Sequence, residues 1–358
     1  MSHAPVALDP PPSRNSGGVA EEAPASDAFA PLLRQIRGQR LLDRRTGWYT
    51  ASISLNALAL AGVVGALLMV GDSWWALVLA VPFAILSART GFIGHDAGHS
   101  QISASRRTNR LLGLIHGNLL LGMSSAWWND KHNRHHANPN HLDKDPDVGE
   151  GVLVWTQAQA ERRAGMARWL TRNQAWLFFP LLTLEGIALK VASVRMVAAS
   201  ADWDRNGRAR ATEAVLLAAH HVGYVALLTA ALSPGRAVVF ALVHHALFGL
   251  HLGAVFAPNH KGMEMPDPDG ERWGHLRKQV LTSRNVRGGW LTDWLMGGLN
   301  YQIEHHLFPS MPRPHLRLAR PLVRHYCRVA DVRYTETGLL DSYRLALRHM
   351  HEVGAPLR

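Results

Sequence analysis

Long uncharged stretches alternate with short basic ones along this chain, and that alternation sets the first expectations. The stretch from Tyr49 to Gly71 holds 23 residues without a charge. At 1.5 Å per residue, a helix of that length exceeds the ~30 Å hydrocarbon core of a bilayer. Only Asp72 and Ser73 separate it from a second apolar run, which starts at Trp74 and continues through Arg89 to the first pair of histidines. Two more uncharged runs, Ala214 to Ser233 and Ala237 to Pro258, contain 20 and 22 residues and are joined by Pro234-Gly235-Arg236. The pattern predicts an all-α membrane protein with four transmembrane helices in two hairpins, over about 49–71, 74–94, 213–233 and 237–258.

Two apolar stretches between the hairpins do not fit a crossing. Leu111 to Trp128 has 18 uncharged residues but carries His116, Asn118 and three glycines, and Ala175 to Leu189 has 15 with Pro180 and Glu185 inside it. Both are expected to lie along the interface, the first as an amphipathic helix ending at Trp127-Trp128. From Gly262 the chain turns polar, with basic helical stretches at Arg317–Val329 and Gly338–Met350, which predicts a cytosolic helical cap over 262–358. Residues 1–30, rich in Pro, Ala, Ser and Gly, are expected to form a disordered tail ahead of a single membrane domain at 31–358. They show no basic-then-apolar signal-peptide pattern.

Charge orients the hairpins. The net charge is +11, and Arg and Lys cluster at Arg34–Arg45, Arg106–Arg110, Arg162–Arg172, Arg205–Arg210 and Lys261–Lys278, while the two hairpin tips share one Arg. The positive-inside rule then places both termini and the basic segments in the cytoplasm. Basic residues scattered between apolar runs point to lipid and not to nucleic acid. A lone cysteine, Cys327, excludes an internal disulfide.

The histidines add chemistry. They cluster as His95-Asp96-Ala97-Gly98-His99, His132-Asn133-Arg134-His135-His136 and Gln302-Ile303-Glu304-His305-His306. On a helix, residues three and four apart share a face, so the first cluster aims two imidazoles at one point and the second aims three. An even number of crossings separates the clusters, so seven imidazoles meet at one membrane face. Imidazole suits iron, zinc, copper and nickel alike. A catalytic zinc ordinarily takes three protein ligands, so seven imply two metals. The Glu-x-x-His motifs of carboxylate-bridged bundles are absent, which favours an all-imidazole di-iron site. Asp96 and Glu304, at non-ligand positions inside the clusters, are expected to accept remaining imidazole N–H groups, with a nearby Arg as the alternative partner of Glu304. The acidic turn after the second cluster is expected to be a solvated loop, the alternative being that Asp145 or Asp147 accepts from a ligand imidazole. His220, His221, His244, His245 and His251 fall inside the spans, where neutral imidazoles bonded between helices are expected.

Written as HDAGH, HNRHH and QIEHH, the three boxes resemble those of the membrane fatty acid desaturase family. The run NYQIEHHLFPSMPR from Asn300 is most similar to the branch containing front-end and linoleoyl-CoA-type desaturases and their bacterial relatives. The similarity extends from about Arg40 to the C-terminus and includes Phe256–Met263. The resemblance implies a fatty acyl desaturase that uses O2 and two external electrons at two Fe ions, acts on acyl-CoA or acyl-lipid, and resides in a bacterial cytoplasmic membrane. It implies His95, His99, His132, His135, His136, His305 and His306 as metal ligands, with His260 as a supplementary one and Asn259 and Gln302 close behind. No fused His-Pro-Gly-Gly haem module is present, so a ferredoxin- or flavoprotein-type donor is expected, docking on a basic face that includes Arg313, Arg317, Arg320 and Arg324. The competing expectation is a related di-iron hydroxylase or mono-oxygenase of lipids or alkanes.

Overall fold

The computed structural model describes residues 29–199, 203–267, 270 and 272–358, so nearly all of the expected tail at 1–30 lies outside the described residues. Helix α1 (Phe29–Gly38) precedes the first hairpin, α2 (Thr46–Val70) and α3 (Ala80–Gly98), with a 3₁₀ turn at Trp74–Leu79 leading into α3. Among the described residues, four helical segments are long and apolar enough to cross a membrane: Thr46–Val70, Trp74–Gly98, Gly207–Ala231 and Pro234–His260. They coincide with the four expected runs. The two hairpin tips are tied to each other, because the Asp72 carboxylate accepts the Ser233 N–H at 2.8 Å and pairs with Arg236 at 2.6 Å. Leu67, Phe83, Leu228, Leu232 and Phe240 pack beneath that tie.

After α3 come α4 (Arg106–Gly113), a π-helical turn at Leu114–Leu119, and α5 (Ser125–Ala137). The single interfacial helix expected over Leu111 to Trp128 is therefore broken. Gly122 adopts φ +74°, a conformation that favours glycine, and the Ser124 hydroxyl accepts the Trp127 N–H at 3.1 Å to start a new helix. Short helices follow: α6 (Gln157–Glu161), α7 (Gly165–Arg172), α8 (Gln174–Leu182) and α9 (Glu185–Ala198). The α8–α9 pair bends by 69°, so the stretch from Ala175 to Leu189 forms no straight span.

The second hairpin is α10 (Trp203–Ala231) and α11 (Pro234–His260). The cap then contains α12 (His275–Leu281), β1 (Asn285–Arg287), α13 (Trp290–Leu295), α14 (Gln302–Leu307), α15 (Arg313–Val329), β2 (Glu336–Gly338) and α16 (Leu339–Val353). The pattern did not foresee β1 and β2, which pair in parallel with Asn285 opposite Glu336. Leu32 and Ile36 of α1 join Met311, Leu316, Val323 and Cys327 in the cap's core, which docks α1 against α15.

Candidate metal centre

Each histidine box occupies the end of a helix. His95 lies in the last turn of α3 and His99 caps it, His132, His135 and His136 close α5, His305 and His306 close α14, and His260 is the final residue of α11. The antiparallel hairpins bring those ends to one level, opposite the tied tips.

Eight imidazoles form two groups. His95, His99, His132, His136 and His305 each offer a ring nitrogen within 4.8 Å of the others, and His135, His260 and His306 do the same in a second group. The His136 and His306 rings stack at 4.2 Å and join the groups.

The outward nitrogens are fixed by acceptors. His95 Nδ1 lies 3.1 Å from Asp96 Oδ1, His135 Nδ1 2.9 Å from Asp145 Oδ2, His260 Nδ1 2.9 Å from the Thr282 carbonyl, and His306 Nδ1 2.9 Å from Gln279 Oε1. Carboxylate and carbonyl oxygens can only accept, so Nδ1 carries the proton in these rings and Nε2 keeps its lone pair. Among the described residues, Nε2 of His95, His99, His305 and His306 is buried without a hydrogen-bond partner. Burial, reinforced by neighbouring imidazoles, holds His99, His132, His136, His305 and His306 well below the usual histidine range. Neutral, inward-facing and unpartnered nitrogens are what a bound cation requires, so the residues present fit a metal pair.

Supporting side chains lie behind the rings. The second oxygen of Asp96 pairs with Arg313 at 2.6 Å and accepts the Tyr49 hydroxyl at 3.0 Å. Asp145 also accepts the Asn140 N–H at 2.7 Å, while Asp147 stands 3.6 Å from His135 Nδ1 and pairs with Lys131. The Gln302 amide N–H points to His260 Nε2 at 2.9 Å, and its oxygen accepts from Asn259 Nδ2 at 3.1 Å. Asn259 Oδ1 is buried without a partner among the described residues.

Two expectations need correction. Glu304 does not accept from an imidazole; its carboxylate takes the Asn285 N–H at 2.7 Å and the Tyr334 O–H at 2.8 Å. Helix α14 turns it away from the histidines, and burial pushes its pKa up to about 7 against the pull of those two hydrogen bonds. Nor do all four arginines form a free basic face. Arg313 is buried against Asp96, and Arg320 donates twice to Glu336 at 2.7 and 2.8 Å, which leaves Arg317 and Arg324 exposed.

Some of the site had no signal in the sequence. Gln279 and Thr282 lie in a polar stretch outside the three boxes, yet they hold His306 and His260, and Gln279 also donates to the His136 carbonyl at 2.9 Å. Asn140, in the acidic turn after the second box, donates to the His260 carbonyl at 3.2 Å. Within the spans, His244 sits between the Tyr224 hydroxyl at 2.8 Å and the Ser87 hydroxyl at 3.3 Å, whereas His245 bonds its own helix at Ala241. His251 meets the Leu295 carbonyl at 2.8 Å and lines a groove with Leu247, Val255 and Tyr343, apart from the eight imidazoles.

An apolar cavity runs up to His95 between Phe92, Leu121, Met123, Trp128, Leu252 and Phe256. Trp128 also stacks on His132 at 5.2 Å. A second cavity, whose lining includes Arg106, Asn109, Arg110 and Arg210, adjoins it through Ser124, Ser125 and Asn129.

Membrane-length helices with eight imidazoles and an apolar cavity gathered at one end define a histidine-rich membrane protein. The model of the fatty acid desaturase family matches residues 72–338, and the chain belongs to that family. It is 30% identical over 331 residues to the Delta(8)-fatty-acid desaturase of Euglena gracilis, covering 91% of this chain and 78% of that one. It is 27% identical over 320 residues to Delta(8)-fatty-acid desaturase 2 of Arabidopsis thaliana (86% and 70% covered). It is 28% identical over 339 residues to the Delta(5) fatty acid desaturase fat-4 of Caenorhabditis elegans (92% and 74%). The protein is an oxidoreductase that desaturates fatty acyl chains.

Proposed function

We propose that this desaturase works with two irons, one held among His95, His99, His132, His136 and His305 and the other among His135, His260 and His306. The observation that carries the reading is the set of buried Nε2 atoms facing inward without partners. When bound, the iron pair supplies O2 reduction and the oxidising power to remove two hydrogens from adjacent methylenes, giving a double bond and two waters once two external electrons and two protons are added.

The chain's own residues do the rest. Asp96, Asp145, Gln279 and the Thr282 carbonyl hold Nδ1 protons, which keeps four rings in one tautomer and orientation and raises their basicity. Phe92, Leu121, Met123, Trp128, Leu252 and Phe256 offer an acyl chain a water-free path to His95. The adjoining cavity with Arg106 and Arg110 suits the phosphates of an acyl-CoA or an acyl-lipid. Basic segments at the box end favour an orientation with both termini and the site on the cytoplasmic side of the membrane. Exposed Arg317 and Arg324 suit an acidic ferredoxin- or flavoprotein-type donor.

The reading is tested by metal analysis of the detergent-purified protein together with double-bond mapping of lipids from a host expressing it. About two irons per chain and a new unsaturated acyl product are expected. One metal per fully active chain contradicts the two-iron assignment, and a lipid profile unchanged from the empty host contradicts the substrate assignment.

A further inference from the structure

Lys190 on α9 and His220 on α10 lie apart from the eight imidazoles, and desaturation as outlined gives them no task. Lys190 is buried, and a buried cation ordinarily meets a carboxylate. Here it meets an imidazole, with Nζ 2.9 Å from His220 Nε2. The other ring nitrogen, His220 Nδ1, is 3.0 Å from the Leu119 carbonyl. A carbonyl can only accept, so Nδ1 carries the proton and Lys190 donates to Nε2. The ring is thereby clamped between α9 and the end of the π-helical turn.

The loop after that turn closes over the same ring. A Cβ on Gly122 would stand 2.3 Å from His220 Cδ2, so the backbone there rests against the imidazole. Two turns earlier on α10, Glu213 accepts the Ala126 N–H at 3.0 Å and the Ser124 hydroxyl. Helix α10 thus grips the loop at both ends, through His220 at Leu119 and through Glu213 at the start of α5. Leu121 and Met123, between the grips, form one wall of the apolar cavity that reaches His95.

We propose that the Lys190–His220 pair positions the Leu121–Met123 wall and so selects which methylenes of the acyl chain rest beside His95. The inference rests on that cavity being the acyl site. His220 is then a positioning residue for the location of the double bond. A displacement of ~1 Å is enough to cost a positioned reaction on the order of 100-fold, and wall and chain touch directly.

The test compares the unmodified chain with His220→Ala, His220→Gln, Lys190→Met and Leu121→Trp in one host. Double-bond positions are mapped in the lipids, and metal content is measured on the purified proteins. His220→Ala is expected to keep its metal, to make about tenfold less of the original isomer and to produce a second positional isomer. His220→Gln restores the original pattern, because its amide can donate to Leu119 while its oxygen accepts from Lys190. Lys190→Met shifts the isomer ratio the same way by less, and it carries the test alone should His220→Ala fail to fold. An unchanged isomer ratio in Lys190→Met and in metal-bearing His220→Ala overturns the inference while leaving the cavity reading intact. Leu121→Trp fills the cavity, so product at the original level from that variant overturns the cavity reading and the inference with it.

Discussion

The Arg313 guanidinium stands 2.6 Å from Asp96, and the opposite oxygen of that carboxylate faces His95 Nδ1. The cap thereby reaches into α3 and braces an imidazole from behind. Both partners are buried, so removing one leaves the other as an uncompensated charge. Arg313→Leu is expected to cost about 3–5 kcal/mol, read as a lower Tm of the detergent-purified protein. Adding Asp96→Asn should recover part of that loss. Strictly additive losses would show that the pair is not coupled.

Two carboxylates near the boxes are expected to behave differently. Asp145 touches His135, so Asp145→Asn should weaken metal retention about 10–100-fold in a chelator competition. Glu304 touches Asn285 and Tyr334, so Glu304→Gln should hold its metal normally and lose about 1–2 kcal/mol of stability. Equal metal loss in the two variants would place Glu304 on an imidazole in the loaded enzyme.

Histidines at the two depths of α11 make a similar contrast. His260→Ala removes one of three nitrogens in the smaller group, and metal and activity should fall together. His251 bonds the Leu295 carbonyl, so His251→Ala should keep its metal. Matching metal contents in the two proteins would strike His260 from the ligands.

Membrane orientation is accessible to reporter fusions. A reporter active only outside the cytoplasm should give signal at the Pro234–Gly235 tip and none at Asn173, between α7 and α8. Signal at both sites would mean that a further segment crosses.

For the electron donor, Arg317 and Arg324 are the arginines to reverse, because Arg313 and Arg320 are engaged within the protein. The double change to Glu should raise the reductant concentration needed for half-maximal turnover, with acyl-substrate dependence unchanged. The difference should shrink as salt shortens the Debye length from about 8 Å at physiological ionic strength. Identical reductant curves would move the docking surface elsewhere.

The spans and the boxes were legible because each follows a simple pattern: an uncharged run longer than the bilayer is thick, histidines three and four apart in the first two boxes, and a histidine pair in the third. What surrounds the boxes was not. Gln279 and Thr282 reach the imidazoles through contacts distant in sequence, and nothing in their neighbours marks them, while Arg313, expected on a basic face, instead braces His95 through Asp96. Glu304 misled for a related reason. Its position inside a box promised an imidazole partner, but α14 turns it toward Asn285 and Tyr334. The stretch from Leu111 to Trp128 was misread as one helix because hydropathy does not register the left-handed turn that Gly122 makes.

Pro258 interrupts α11 a half-turn before His260, and having no N–H it cannot bond the Ala254 carbonyl one turn back. The Tyr343 hydroxyl takes that carbonyl at 2.7 Å, and Arg284 donates twice to the Pro258 carbonyl at 2.8 and 2.6 Å. Asn285, which accepts the Ile303 N–H at 2.9 Å within the third box, lies on the strand that pairs with residues 336–338. A ribosome therefore makes every histidine of the cluster before it makes the residues that hold two of its corners in place. During synthesis the cluster is completed last, and a chain stopped short of Tyr343 would enter the membrane with all eight imidazoles and no finished pocket for them.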